Sequence, residues 1–445
     1  MSSPAQPSSA RAPRLIRVLP ALALNAALTL AFALYLRLTR AHHFGPHANG
    51  HPITRRNFAD LLDFAPQFQH YHSPAFFQQQ TVFLQPLPLA ALYKIFLSAG
   101  PLAIPLYVAA LLLTMLAAAA LFARALVCRG IPLLRAAAFT AVAFIFAWPF
   151  WFCLKQGNLE FALFTLIALG AWSLWRGHHT LASICFAIAG SLKLYPLVFL
   201  ALPLAQKRYR AVLAGLITFA AVNLAALWLA CPQLAVSWQG SLTGLRILLG
   251  HGYALARQSA QSGMDHSLFA LLKTILAVLA PQHLADSAFM HAFAIVYVVV
   301  VAATGLLLWM TRIRPLPLAN QLLSLTVAAI LLPPLSFEYT LMQLYVPWAV
   351  LILAALSTDI AAQTRTLQPA LLILAVLLSP LFEFTCGTWG LAGPLKALLL
   401  LALFTLALRR PFAAEGTAAA SSSAPSGSPN PHGDCDKVAI ASSSL

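Results

Sequence analysis

Apolar runs long enough to cross a bilayer recur along this chain from residue 19 to residue 408. Inside hydrocarbon every backbone N–H and C=O needs a partner within the protein, so runs of that length fold as helices. Composition agrees, with 60% of residues hydrophobic and 9% charged, against roughly 25% charged in soluble domains. The expected fold is all-α: a polytopic transmembrane helix bundle of about 10–12 spans, with short or re-entrant helices and a long first outer loop. Residues 1–18, Pro/Ser-rich and basic, read as a disordered cytoplasmic N-terminus. Residues 19–410 read as the membrane domain, and 411–445, rich in Ala, Ser, Pro and Gly, as a disordered tail. The run Leu19–Leu38 exceeds a signal-peptide core and lacks a small-residue cleavage site, so it reads as a retained first span.

A formal charge of +16 raises nucleic acid as a partner. Here the Lys and Arg stand in short loops between spans, where orientation and lipid headgroups account for them; nucleic acid is excluded as a partner class. Six cysteines are scattered without a C-x-x-C, which suggests neither a zinc site nor a disulfide framework.

With basic loops placed in the cytoplasm, the first outer loop runs from about Arg40 to Gln85, and Leu89–Ala99 is an apolar piece too short to cross. Spans follow at about 102–123, 136–152, 159–175, 211–230, 288–310, 317–333, 341–357, 369–382 and 388–408. Between them, 231–266 reads as a second outer stretch and Leu268–Leu279 as another short apolar piece.

Arg176–Arg210 orders the rest. Both ends are basic, Arg176-Gly177-His178-His179 and Lys207-Arg208-Tyr209-Arg210, so both belong to the cytoplasmic side. One straight helix cannot place both its ends on one face. The run therefore turns back at Lys193-Leu194-Tyr195-Pro196, where Pro removes a donor and pushes its neighbour out of helix. Lys193 then stands at the tip of a hairpin. It is either a snorkelling Lys at a helix end or an anion site, most naturally for phosphate. This topology puts Asp60/Asp63, Lys155–Asn158, Lys193–Pro196, Asp265-His266 and Ser336–Tyr339 together on the outer side, around a wet cavity.

Acids are scarce, eleven in all, and a general base has to be a carboxylate or His near the attacking hydroxyl. Glu160 follows Asn158 at a helix start, where capping and the macrodipole explain both. Asp63 is the first choice for a base, with Asp60 on the same helical face at i,i+3; the alternative for both is a loop acid or a cap. Phe64, Phe68, Tyr71, Phe76 and Phe77 follow, suited to stacking on a sugar ring. His43, His47 and His51 are broken up by Gly and Pro, so no metal site is expected. No cofactor is suggested, and no Gly-rich phosphate loop occurs.

Lys155-Gln156-Gly157-Asn158, a span, a basic turn and Ala187-x-x-Gly190-x-x-Lys193-Leu194-Tyr195-Pro196 resemble the core signature of glycosyltransferase family 87. These are polytopic enzymes of the GT-C type, similar to polyprenol-phosphate-mannose-dependent α-mannosyltransferases. Asp63-Phe64 with the aromatic loop and Phe83-Leu84-Gln85-Pro86 resembles the family's first outer loop, where its catalytic Asp lies. Leu332–Leu341 resembles its late motif, although Ser336-Phe337-Glu338-Tyr339-Thr340 lacks the family's His. Gln85 stands where an aromatic is common, and Asp265-His266-Ser267 where the family often has an Asn-led sequence.

The resemblance implies a sugar, mannose first among candidates, moved with inversion from a polyprenyl-phosphate donor to a glycolipid or glycan acceptor. The setting it implies is the outer face of the cell's inner (plasma) membrane, among membrane lipid. It implies Asp63 or Asp60 as base, and Lys193, Lys155, Arg55 and Arg56 around the donor phosphate. Gln156, Asn158, Tyr195, Tyr71, Asp265, His266, Glu338 and Tyr339 are the expected substrate contacts, without a metal or cofactor. The rival readings are a transporter or flippase of lipid-linked sugars, since broken helices also build transport sites, and a non-catalytic relative that binds lipid-linked glycans.

Overall fold

The computed structural model describes residues 18–40, 58–63, 65, 68, 70–78, 86–146, 148–257, 265–357, 361–382, 391–409 and 411–412. Among them every regular element is a helix. In chain order these are α1 Leu19–Arg40, α2 Ala59–Asp63, α3 Ala75–Gln78, α4 Leu87–Leu97, α5 Ala103–Cys128, α6 Leu133–Ile145, α7 Trp148–Gln156, α8 Glu160–Trp175, α9 His179–Leu192 and α10 Ala201–Ala205. There follow α11 Tyr209–Ala230, α12 Leu234–Arg257, α13 Leu268–Leu279, α14 Gln282–Ala285, α15 Ser287–Leu308, α16 Leu318–Leu331, α17 Tyr345–Ser357, α18 Ala361–Leu377 and α19 Ala392–Arg409. Tighter 3₁₀ turns at Tyr195–Leu200 and Glu338–Leu344 lead into α10 and α17.

Among the described residues, five helical stretches are long and apolar enough to cross a membrane alone: Gly100–Cys128, Tyr209–Ala230, Ser287–Ile313, Glu338–Leu356 and Ala392–Arg409. The bent pair α6–α7 makes a sixth, and the other apolar helices are shorter. The helices divide by what they face. α5, α11 and α15 expose Leu113, Leu116, Leu216, Ile217, Val299 and Leu306, the surface expected against lipid. In α16 every residue from Asn320 to Leu331 is buried, so this helix is the centre of the bundle.

The turn-back at Lys193 is present. α9 ends at Leu192, Lys193 takes an extended backbone, and the chain returns through Tyr195–Leu200 and α10. Close packing makes this possible: a Cβ on Gly190 would meet the Leu197 side chain at 2.4 Å. The two basic ends meet, since residues 177–181 and 207–211 line one groove.

The expected second outer stretch carries one long element: 234–257 forms α12. Gly240, Gly244, Gly250 and Gly252 lower its helix propensity, and Gln239, Arg246 and His251 interrupt its hydrophobicity, so its sequence does not read as a helix.

Candidate functional site

The site is organised around the turn between α7 and α8. Gly157 has φ +72°, a left-handed conformation that suits glycine. An added Cβ would stand 2.9 Å from Leu61 Cβ and 3.0 Å from Phe58 Cα. The missing side chain is what lets α2, from the first loop, lie on this turn. A backbone bond from the Phe58 N–H to the Lys155 carbonyl, 2.7 Å, fixes it there.

Asn158 joins three segments. Its Nδ2 donates to Asp60 Oδ2 at 2.7 Å and its Oδ1 accepts the Glu160 N–H at 3.0 Å. Its carbonyl accepts the Tyr107 hydroxyl at 2.9 Å and the Cys153 thiol at 3.0 Å. Asp60 is thereby held at the site. Asp63 closes α2, while its side chain lies outside the described residues, as do Arg55, Arg56 and the His43–His51 group.

The capping account of Glu160 is incomplete. Its N–H is capped as expected, but the carboxylate is fully buried and turned into the bundle. It pairs with Lys193 Nζ at 2.5 Å and accepts the Tyr195 hydroxyl and Gln343 Nε2, the latter at 3.0 Å. The buried carboxylate is thus met by three donors, which offset the cost of taking it out of water. The Lys193 side chain keeps 17% of its surface exposed against none for Glu160, so the pair is approachable only from the Lys193 side. Tyr339 caps it, with Lys193 Nζ 4.7 Å from the ring centroid, a cation–π arrangement.

A second polar cluster adjoins it. Asp265 accepts the Ser267 N–H at 2.9 Å and the Ser336 N–H at 2.8 Å, and His266 N–H donates to the Ser336 carbonyl at 3.0 Å. His266 Nε2 meets the hydroxyls of Ser336 and Thr340, each at 3.1 Å. Burial, with the Lys396 ammonium, pushes its imidazole well below the usual range. Burial raises the Asp265 carboxyl to about 6 against the pull of those N–H donors. Glu338 is ion-paired with Lys396 of α19, both side chains nearly inaccessible. Gly393, one turn before Lys396, packs on the Asp265 backbone, where a Cβ would stand 2.3 Å from its carbonyl oxygen.

Thus Asp60, the 155–158 turn, Lys193-Tyr195, Asp265-His266 and Ser336–Tyr339 are linked in one chain of contacts. Among the described residues they do not all open on one cavity: Asp265, His266 and Glu338 are buried in partnerships of their own, and Gln156 is buried at the end of α7. Tyr71 packs elsewhere, against Phe68 and Phe76, with burial raising its hydroxyl to about 12. Sequence reasoning passed over Glu160, Gln343 and Lys396. For Glu160 the signal was there, an acid opening a span beside the Lys155–Asn158 motif, and so it was for Lys396, a cation inside the span expected at 388–408; Gln343 gave none.

A sequence model of the family described as Glycosyltransferase family 87 matches residues 83–335, more than half of the chain. That interval contains Lys155–Glu160, Lys193 and Asp265; it starts after Asp60 and Asp63 and stops just before Ser336. No curated protein and no solved structure gives a match.

Proposed function

Because this chain belongs to glycosyltransferase family 87, we propose that it transfers a sugar, mannose first among candidates, from a polyprenyl-phosphate donor to a hydroxyl of a glycolipid or glycan. The observation that carries this reading is the docking of the first-loop helix α2 on the Lys155–Asn158 turn, beside the Glu160–Lys193 pair. A carboxylate-bearing loop and a partly exposed ammonium are what displacement at a sugar phosphate requires.

In this reading Asp63 accepts the proton of the acceptor hydroxyl as its oxygen attacks the anomeric carbon. The bond from that carbon to the phosphate oxygen breaks, and polyprenyl phosphate leaves. Asp60, already engaged by Asn158, positions the loop. An ammonium has three N–H donors; with one on Glu160 and the Tyr339 ring on one flank, Lys193 keeps its exposed side for a phosphate oxygen. Lys155, half-buried on α7, and Arg55 and Arg56 complete the charge. The prenyl chain lies among the lipid-facing helices, and the site opens on the outer face of the plasma membrane.

Purified protein in proteoliposomes, offered labelled polyprenyl-phosphate mannose or labelled nucleotide sugar, tests this. Transfer to a glycolipid or glycan acceptor from the lipid donor alone is expected. Transfer only from the nucleotide sugar, or movement of the lipid-linked sugar across the bilayer without transfer, would overturn it.

A further inference from the structure

At the far end of α9 from Lys193, about 21 Å away at 1.5 Å per residue, the two basic loops form a groove. It is lined by Gly177, His178, His179 and Leu181 from one loop and by Lys207–Arg210 from the other. Gly177 (φ +78°) and Lys207 (φ +57°) turn the two loops toward each other through left-handed backbone.

Among the described residues, the charge in this groove is uncompensated. None of the lining residues is acidic, and among the described residues Lys207, Arg208 and Arg210 make no ion pair. Two long helices also start here, α9 at His179 and α11 at Tyr209, neither with a side-chain cap. Their first N–H groups and positive dipole ends add to the field of the cations.

The surroundings are apolar. Trp172 (45% exposed), Leu181 (42%), Tyr209 (62%) and Leu213 (58%) stand open beside the groove, and Arg176 lies over the Trp172 ring at 5.4 Å. The rule that orients membrane proteins accounts for basic residues in these loops. It does not require two loops some thirty residues apart to fold their cations into one concave surface edged by lipid-facing side chains. Basic pockets between spans at the headgroup level are sites for anionic headgroups.

We propose that this groove is a binding site for the headgroup of an anionic phospholipid, its phosphate held by Lys207, Arg208 and Arg210 and its acyl chains lying along Leu181 and Leu213. The inference is independent of the transfer reaction.

The test uses the full chain in detergent. Phosphatidylglycerol, phosphatidylcholine and inorganic phosphate are titrated separately, with retained lipid read by native mass spectrometry and protection read as a rise in Tm. Phosphatidylglycerol is expected to be retained preferentially. The Lys207→Gln/Arg208→Gln/Arg210→Gln variant is expected to lose that preference by about five-fold in affinity per cation removed. Arg312→Gln/Arg314→Gln, which removes charge outside the groove, should leave it unchanged. If the triple variant does not fold, Lys207→Gln and Arg210→Gln singly should each cost about five-fold. Undiminished preference in the groove variants, or an equal loss in the Arg312/Arg314 variant, would overturn the proposal. So would protection by inorganic phosphate equal to that by the lipid, which would assign the groove to a soluble anion.

Discussion

Glu160 and Lys193 hold each other in a place where neither is comfortable alone. Removing one partner of a buried pair leaves an uncompensated charge and costs about 3–5 kcal/mol. Glu160→Gln should therefore lower Tm well below wild type, and Glu160→Gln/Lys193→Met should recover part of the loss; thermal unfolding in detergent reads both. Stability unchanged in Glu160→Gln would mean the pair contributes nothing. Asp265 offers a pH test. Its carboxyl is raised from 3.8 to about 6 on folding, so the protonated form favours the fold. That contribution is complete below about pH 4 and is lost as pH passes about 6. Asp265→Asn should gain stability relative to wild type between pH 4 and 7; a pH-independent difference would contradict the assignment. At this scale the sequence is a partial guide. It marked Lys193 as a snorkelling Lys or an anion site, because an ammonium deep in the bilayer is costly without a partner or water. It assigned Glu160 only to a cap, because a helix start fixes where the N–H groups point and leaves open where the carboxylate turns.

Among elements, the docking of α2 on the α7–α8 turn is the joint that brings the first loop to the site. Gly157→Ala meets both a left-handed φ and a neighbour at 2.9 Å, so α2 has to move away. Limited proteolysis should then cut the first loop faster while the bundle melts near its usual temperature; an unchanged cleavage rate would show the joint to be dispensable. The Glu338–Lys396 pair ties the 3₁₀ turn before α17 to α19. Lys396→Met alone should destabilise by about 3–5 kcal/mol, whereas Lys396→Met/Glu338→Leu should sit near wild type. Helix bounds were legible where local chemistry marks them. α13 coincides with the apolar run Leu268–Leu279, since Ser267 caps its start by accepting the Ala270 N–H. α12 was not legible, because its glycines and polar residues carry no marker of helix; packing holds it, as where Phe77 of the first loop fits against Gly240.

For the molecule as a whole, the turn at Lys193 decides which segments share an end. Single cysteines at His178 and Lys207 should be labelled by an impermeant thiol reagent from the same side of intact membranes, and one at the exposed Leu194 from the other. Labelling of positions 178 and 207 from opposite sides would make the segment a single span and dismantle the site. The central claim is chemical: a first-loop carboxylate deprotonates the acceptor beside a cation that holds the departing phosphate. The most direct measurement is turnover of polyprenyl-phosphate mannose by Asp63→Asn in proteoliposomes. Loss of a general base should cut turnover by about 10²–10⁴-fold with donor affinity and Tm near wild type, and Asp60→Asn should lose less. Turnover by Asp63→Asn close to wild type would contradict the account.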